Sequence, residues 1–260
     1  MRSAVKVERA RVHLEVLGRS TVVEAELTVG PAGLDSLLPL AEAMVTRGGE
    51  IAEEQARAEG LTVRCKKGCA ACCRHVVPIA PVEAVRLARL VDSMPEPRRT
   101  ELRTRFAEAL ARMVAIGVRA PDAEPGDHRL IGAAGEGRTA WDDASRRYFD
   151  ARIACPFLEA ECCSIHVVRP LACREFSVTS DPELCETLDV GMRAIARPIA
   201  AVDALAALGH AVDGTPPFSM PLVFALDWAA VHGPRLARDH DGESLFHALV
   251  EHIHAQDAAR

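Results

Sequence analysis

The sequence contains nine cysteines, and all of them lie between residues 65 and 185. They are Cys65, Cys69, Cys72, Cys73, Cys155, Cys162, Cys163, Cys173 and Cys185. Thiolates are preferred ligands for soft metal ions such as zinc and Cu(I), and for iron–sulfur clusters. Disulfide scaffolds are short and secreted, whereas this chain has 260 residues. The clustered cysteines therefore indicate metal binding rather than a disulfide framework.

The first cysteine segment, residues 65–73, reads Cys-Lys-Lys-Gly-Cys-Ala-Ala-Cys-Cys. Spacings of two and three residues let a tight loop direct several thiolates to one point. Gly68 allows a turn with positive φ, and the charges of Lys66 and Lys67 favour the thiolate form that binds metal. Free cysteines buried in an apolar core are the alternative, but four cysteines within nine positions favour a metal site.

The second cysteine segment, residues 155–185, has looser spacing than a zinc ribbon. It contains Cys-Pro-Phe-Leu from residue 155, a Cys-Cys pair at 162–163, and Arg-Pro-Leu-Ala-Cys-Arg over 169–174. Roughly 80 residues separate it from the first cysteine segment. Either the fold brings the two segments together, or each segment serves a separate site.

These motifs resemble the cysteine-cluster family known as CxxCxxCC or YkgJ-like proteins, which chelate zinc or iron. The matching residues are Cys65-x3-Cys69-x2-Cys72-Cys73, Cys155-Pro-Phe-Leu, Cys163-Ser-Ile, Arg169-Pro-x-x-Cys173-Arg174 and Cys185. The resemblance implies eight metal ligands, namely Cys65, Cys69, Cys72, Cys73, Cys155, Cys163, Cys173 and Cys185. Three features depart from the family pattern: three residues separate Cys65 from Cys69, His166 replaces a tyrosine, and Cys162 is an additional thiol.

The identity of the metal stays open between an iron–sulfur cluster, which we favour slightly, and zinc. Eight thiolates exceed the four that one zinc ion binds. They therefore form either two four-thiolate sites or one polynuclear centre. The neighbours Cys72 and Cys73 point in different directions in most backbone conformations, which suits two sites or two metals of one centre.

An enzymatic role also stays open. Cys65-x3-Cys69-x2-Cys72 has the spacing of the radical S-adenosylmethionine motif, but the chain lacks the alternating strands and helices typical of those enzymes. The family is also distantly similar to flagellin lysine-N-methylase, which implies an iron–sulfur cluster used together with S-adenosylmethionine. No Gly-rich nucleotide loop independently supports a methyltransferase. A helical interaction domain held together by zinc is the remaining alternative.

Four other side chains lie close in sequence to the cysteines: His75, His166, Arg169 and Arg174. Side chains of this kind orient metal ligands through hydrogen bonds. Arginines also bind carboxylate or phosphate groups, although we favour a structural role for both arginines here. No residue is assigned as catalytic.

Composition limits the partners of the protein. The net charge of −6 provides no basic surface for nucleic acid or an anionic membrane. No apolar run is long enough to span a bilayer, and the early charges in residues 1–9 argue against a signal peptide. We therefore expect a cytoplasmic protein that binds a metal ion or cluster, no nucleic acid and no membrane; protein partners are not predicted.

Hydrophobic periodicity predicts a mainly helical α+β fold, built around the two cysteine-rich loops, with a β-hairpin over residues 4–29. Helices are predicted over residues 35–58, 81–93, 97–116, 140–151, 189–209, 219–232 and 242–256. Gly48-Gly49 is a predicted break in the first helix. The predicted organisation is a hairpin plus helix over 1–64, a metal-binding domain over 65–185, and a C-terminal helical region over 186–260 that packs on it. A Gly- and Pro-rich loop over 118–138 is expected to cover or flank the site.

Overall fold

A computed structural model describes residues 6–131, 138–187, 191–214, 217–236 and 238–258. It has the predicted α+β class, mainly helical with an N-terminal antiparallel hairpin. The helices are α1 (Leu38–Ala58), α2 (Pro81–Ser93), α3 (Arg98–Ala115), α4 (Arg138–Asp150), α5 (Leu171–Glu175), α6 (Pro182–Thr187), α7 (Ala201–Asp213), α8 (Ala225–Leu236) and α9 (Gly242–Ala258). The strands are β1 (Lys6–Val16), β2 (Arg19–Val29), β3 (Pro31–Ala32), β4 (Pro78–Ile79), β5 (Leu158–Glu159), β6 (Cys162–Cys163), β7 (Met220–Pro221) and β8 (His240–Asp241).

The predicted hairpin is formed by β1 and β2, which pair in antiparallel register along their whole length. Its turn is Leu17-Gly18, with φ values of 52° and 73°. Positive φ at both turn residues matches the right-handed twist of the strands. The apolar face, formed by Val12, Leu14, Val16 and Val23, is buried and packs against α1 and α9.

Helix α1 continues through Gly48 and Gly49 to Ala58, so the predicted break is wrong. Gly48 is buried, and a Cβ at this position would lie 2.8 Å from Cγ1 of Ile199. The missing side chain therefore lets Ile199 pack directly against the helix. This contact explains why the helix contains a residue with poor helix propensity.

Helices α2 and α8 pack side by side at the centre of the molecule, and α2 also contacts α3 and α7. Helix α2 begins at Pro81, as predicted, and spans the predicted residues. Two short ladders connect distant parts of the chain, because β3 pairs with β8 and β4 pairs with β7. The main apolar core combines side chains from most of the chain, from Val12 in β1 to Ile253 in α9.

The prediction of a helix over 189–209 is wrong in its first half. Residues 191–200 are not helical, and α7 begins at Ala201; residues 188–190 lie outside the described residues. The backbone bonds instead across to a neighbouring segment, since Thr179 N donates to Arg193 O at 2.9 Å and Ile195 N donates to Ser177 O at 2.9 Å. Pro198 also disfavours helix because it lacks a backbone donor.

The described part of the Gly- and Pro-rich loop, residues 118–131, packs against α8. Arg119 Nη2 donates to Asp227 at 2.8 Å, and the backbone N–H of Gly126 donates to the same carboxylate at 3.1 Å. The remainder of the predicted loop falls partly on residues 132–137, which lie outside the described residues. Within the described part of the chain, no helix is long and apolar enough to cross a lipid bilayer.

Candidate metal centre

The first cysteine segment forms a turn followed by one turn of 3₁₀ helix over Ala71–Arg74. The Cys69 N–H donates to Lys66 O at 3.0 Å, and Gly68 has a φ of 91°, as the sequence predicted. The Cys73 N–H donates to Ala70 O at 3.0 Å. These local backbone bonds hold Cys69 and Cys73 in place within the loop.

The second cysteine segment presents its cysteines on several short elements. Cys155 precedes β5, Cys162 and Cys163 form β6, Cys173 lies in α5, and Cys185 lies in α6. The turn between β5 and β6 is Ala160-Glu161, with φ values of 46° and 56°. Left-handed conformation is unfavourable for such residues.

An ion pair holds this strained turn. Arg74, which follows the first cysteine segment directly, forms two hydrogen bonds of 2.6 and 3.0 Å with the Glu161 carboxylate. The two parallel hydrogen bonds fix the orientation of the Arg74 guanidinium relative to the Glu161 carboxylate. The turn beside Cys162 and Cys163 is therefore anchored to the first cysteine segment.

Backbone hydrogen bonds also join the two cysteine segments. The Cys155 N–H donates to Cys73 O at 2.7 Å. The Val178 N–H donates to the Cys65 sulfur at 3.3 Å, and His75 Nε2 donates to Cys185 O at 2.8 Å. The fold thus brings the two segments together, although they are far apart in sequence.

Six cysteines line one cavity of about 270 Å³. They are Cys69, Cys72 and Cys73 from the first cysteine segment, and Cys155, Cys163 and Cys173 from the second. The described part of the 118–138 loop contributes no lining residue, and the expectation that this loop covers or flanks the site stays a prediction. Across the described ranges, no group of three or more His, Cys, Asp or Glu side chains stands in a metal-holding arrangement.

The eight predicted ligands fall into two sets according to which thiols interact electrostatically. Cys65, Cys69 and Cys185, the Cys65 set, interact electrostatically with one another. Cys73, Cys155, Cys163 and Cys173, the Cys73 set, are likewise connected. Cys72 interacts with members of both sets. Side-chain packing supports the same division, because the cysteines of the Cys65 set belong to or contact a small apolar cluster that contains Val178 and Ala71.

Burial raises the pKa of several thiols in both sets. Loss of hydration raises the pKa of Cys155 to about 12 and that of Cys185 to about 11, and neighbouring thiolates add to both effects. The pKa of Cys173 is raised well above its ordinary value for the same reasons. A metal that binds these cysteines must displace their protons.

Cys72 is the exception among these thiols. A hydrogen bond from the Cys73 thiol lowers the pKa of Cys72 to about 7, and the positive charge of Arg169 acts in the same direction. The same hydrogen bond raises the pKa of Cys73. Cys72 therefore ionises more readily than Cys155 or Cys185.

Cys162, the additional thiol, is exposed. It lies beside the first cysteine segment, since a Cβ on Gly68 would be 3.9 Å from its sulfur. It is not among the residues that line the cavity. Its neighbour Cys163 faces the cavity, as expected when successive side chains of a strand point to opposite sides.

The four polar side chains predicted near the cysteines take different positions. His75, His166 and Arg169 line the cavity. Arg174 does not: it donates to Arg169 O at 3.0 Å and to Val167 O at 2.6 Å, and it forms an ion pair with Glu42 at 3.6 Å. These contacts support the structural role that we favoured for Arg174.

Glu83 is a buried residue that the sequence analysis missed. Its carboxylate accepts hydrogen bonds of 2.9 Å from Ala80 N–H and from Leu171 N–H. It thereby joins the start of α2 to the start of α5, the helix that contains Cys173. A glutamate two positions after Pro81 is a typical helix-start signal, but its contact with residue 171 has no sequence signature.

Comparison with known families finds a match that covers both cysteine segments. Residues 64–189 match the model of the CxxCxxCC family, described as a "putative zinc- or iron-chelating domain". This matched segment, which contains all nine cysteines, is therefore similar to metal-chelating domains of that family. No curated protein and no solved structure matches the chain. The similarity to flagellin lysine-N-methylase stays a prediction.

Proposed function

We propose that this protein holds an iron–sulfur cluster within its zinc- or iron-chelating domain. The observation that carries the proposal is the cavity of about 270 Å³ lined by six cysteines from both segments. A single zinc ion draws four thiolates to about 2.3 Å and leaves no room between them. A cluster of several irons and sulfides needs such a space.

The proposed ligands follow the two cysteine sets. The Cys73 set consists of four thiols, all of which line the cavity, and four thiolates are the usual ligands of an iron–sulfur cluster. The Cys65 set becomes a second four-thiolate site if Cys72 joins it. We assign Cys72 there because the Cys73 set is complete without it, so the eight cysteines form two centres of four.

The surroundings of the cavity suit electron transfer or metal handling. When bound, an iron–sulfur cluster supplies one-electron chemistry whose potential depends on burial and nearby charge. Cys155 and Cys173 are strongly desolvated, so these positions limit the access of water. The charge of Arg169 favours the thiolate forms of Cys72 and Cys163.

Two adjacent cysteines provide a matched test. We expect Cys163→Ser to lose the metal centre of the cavity, because Cys163 faces that space. Cys162→Ser is the control, since Cys162 is exposed, and it should keep the metal content of the unchanged protein. The measurement is iron and zinc per chain after anaerobic isolation. Equal metal contents in the two variants would contradict the proposed ligand set.

A further inference from the structure

Cationic groups gather beside the cysteine cavity, although the chain has a net charge of −6. The cavity lining includes Lys66, Arg169 and Arg197, together with His166. No Asp or Glu is among the described lining residues. His166 also experiences the positive charges of Lys67 and Arg174, which lower its pKa after the larger effect of desolvation. The lining therefore favours a negatively charged occupant.

Arg169 is the cation best placed to bind such an occupant. Its Nη1 donates to His166 Nε2 at 2.9 Å, and its Nε is buried without a hydrogen-bond partner in the described structure. Among the described residues, no carboxylate forms an ion pair with Arg169, whereas Arg174 is paired with Glu42. The charge of Arg197 acts on the nearby Glu175. A guanidinium on the cavity wall that no carboxylate of the described residues neutralises favours an anion within the cavity.

The remaining wall of the cavity is apolar. It is formed by Val76, Val77, Pro78, Phe157, Phe176 and Leu222, among others. Pockets for small molecules combine such walls with a few polar groups that fix the orientation of the ligand. A free inorganic anion would leave this apolar surface uncovered, whereas an organic anion would cover it.

We infer that the cavity binds a small organic carboxylate beside the metal centre, with the guanidinium of Arg169 pairing with the carboxylate group. Arginine presents its donors in a planar fork that matches carboxylate geometry. The apolar wall covers the hydrocarbon part of the ligand. This inference rests on the proposed function, because the cavity cysteines hold the metal next to the ligand. The rival explanation is that Arg169 only balances the charge of the thiolates.

Calorimetric titration of the anaerobically isolated, metal-loaded protein with benzoate tests this inference. Benzamide, a neutral molecule of nearly the same shape, is the comparison ligand. We expect benzoate to bind and benzamide to bind at least about tenfold more weakly, since a hydrogen bond to a charged group is lost. Arg169→Gln should weaken benzoate binding by about the same factor, and Arg169→Lys should restore part of it. Arg146→Gln, at an exposed position on α4 that does not line the cavity, should leave binding unchanged.

Metal content is measured on the same samples to separate this inference from the proposed function. Full metal content without benzoate binding, or with equal affinity for benzamide, would overturn the inference and leave the proposed function intact. Unchanged benzoate affinity in a metal-loaded Arg169→Gln variant would also overturn it. Benzoate binding through Arg169 by a protein that lacks metal would uphold the carboxylate site and overturn the proposed function.

Discussion

The backbone N–H of Cys155 donates a hydrogen bond of 2.7 Å to the carbonyl oxygen of Cys73. This bond connects the two cysteine segments through their main chains, so it does not depend on the ionisation of any thiol. The contacts of His75 with Cys185 and of Arg74 with Glu161 connect the same segments at other points. The two cysteine segments are thus held together by backbone and side-chain contacts that involve no metal–sulfur bond, which lowers the ordering cost of binding a metal.

Glu83 is expected to stabilise the segment that contains Cys173. Glu83→Ala removes the acceptor for the N–H groups of Ala80 and Leu171, which are both buried. Unpaired buried donors cost about 1–3 kcal/mol each, so we expect the free energy of unfolding to fall by about 2–6 kcal/mol for the two donors. Chemical denaturation checks this value. Glu108→Ala, at an exposed site on α3, is the control and should change the free energy of unfolding little. An equal decrease of the unfolding free energy in both variants would refute the role of Glu83.

The strained turn between β5 and β6 offers a stabilising substitution. Ala160 is exposed and has a φ of 46°, and asparagine tolerates this left-handed conformation at the first position of a two-residue turn. We expect Ala160→Asn to raise the free energy of unfolding by about 0.5–1 kcal/mol. Thermal melting provides the measurement.

Ala107→Asn serves as the matched substitution, because Ala107 is exposed within α3. There the same change should lower the unfolding free energy by about 0.5 kcal/mol, since asparagine has poorer helix propensity than alanine. A decrease in melting temperature for both variants would show that the turn at Ala160 is not strained.

The raised thiol pKa values predict that metal affinity increases with pH. Cys155 and Cys185 have pKa values of about 12 and about 11 in the metal-free protein, so they are protonated at neutral pH. Each proton that the metal displaces should increase the apparent affinity about tenfold per pH unit. Zinc binding measured by chelator competition between about pH 6 and 8 tests this. An affinity independent of pH would contradict the protonated state of these thiols.

The raised pKa values of Cys155 and Cys185 also predict how the stability of the metal-free protein changes with pH. The folded chain keeps protons on these thiols at pH values where the unfolded chain has lost them, because burial raises their pKa above the ordinary 9.0. The stabilising effect is complete below that pH and declines as the pH rises towards the folded-state values. The melting temperature of metal-free protein should therefore fall above about pH 9.

The two cysteine sets predict two separable losses of metal. Cys185→Ser should remove the metal of the Cys65 set, and Cys155→Ser should remove that of the Cys73 set, because each change leaves three thiolates of a four-thiolate site. The double variant should lose both. Metal content per chain measures each loss. Complete loss of metal in either single variant would indicate one shared centre instead of two.

Much of the secondary structure follows from local sequence signals. Pro81 marks the first residue of α2, the hydrophobic spacing predicts α3, and alternating apolar residues predict the β1–β2 hairpin. Local rules also gave wrong results: the helix predicted over 219–232 begins only at Ala225, and two other misses have a clear tertiary cause. Gly48 does not break α1 because Ile199 packs against it, and residues 191–200 pair with another segment instead of forming helix. In both places, tertiary contacts override local propensity.

The sequence predicts a set of candidate ligands but not their geometry. Cysteine spacing and family resemblance predict eight ligands, and this set stays a prediction. The structure adds that Cys162 is exposed whereas Cys163 lines the cavity. The division into two cysteine sets depends on the tertiary arrangement of the two segments. In that arrangement Cys185 lies near Cys65, whereas Cys155 lies near Cys73. The anchoring by Glu83 likewise depends on a contact between residues 88 positions apart.

The most direct test of an iron–sulfur centre is the iron and inorganic sulfide content of anaerobically isolated protein, measured together with its visible spectrum. We predict a brown protein that contains iron and sulfide in similar amounts, because the cysteine-lined cavity has room for a cluster. A colourless protein with about two zinc ions per chain and no sulfide would contradict this account.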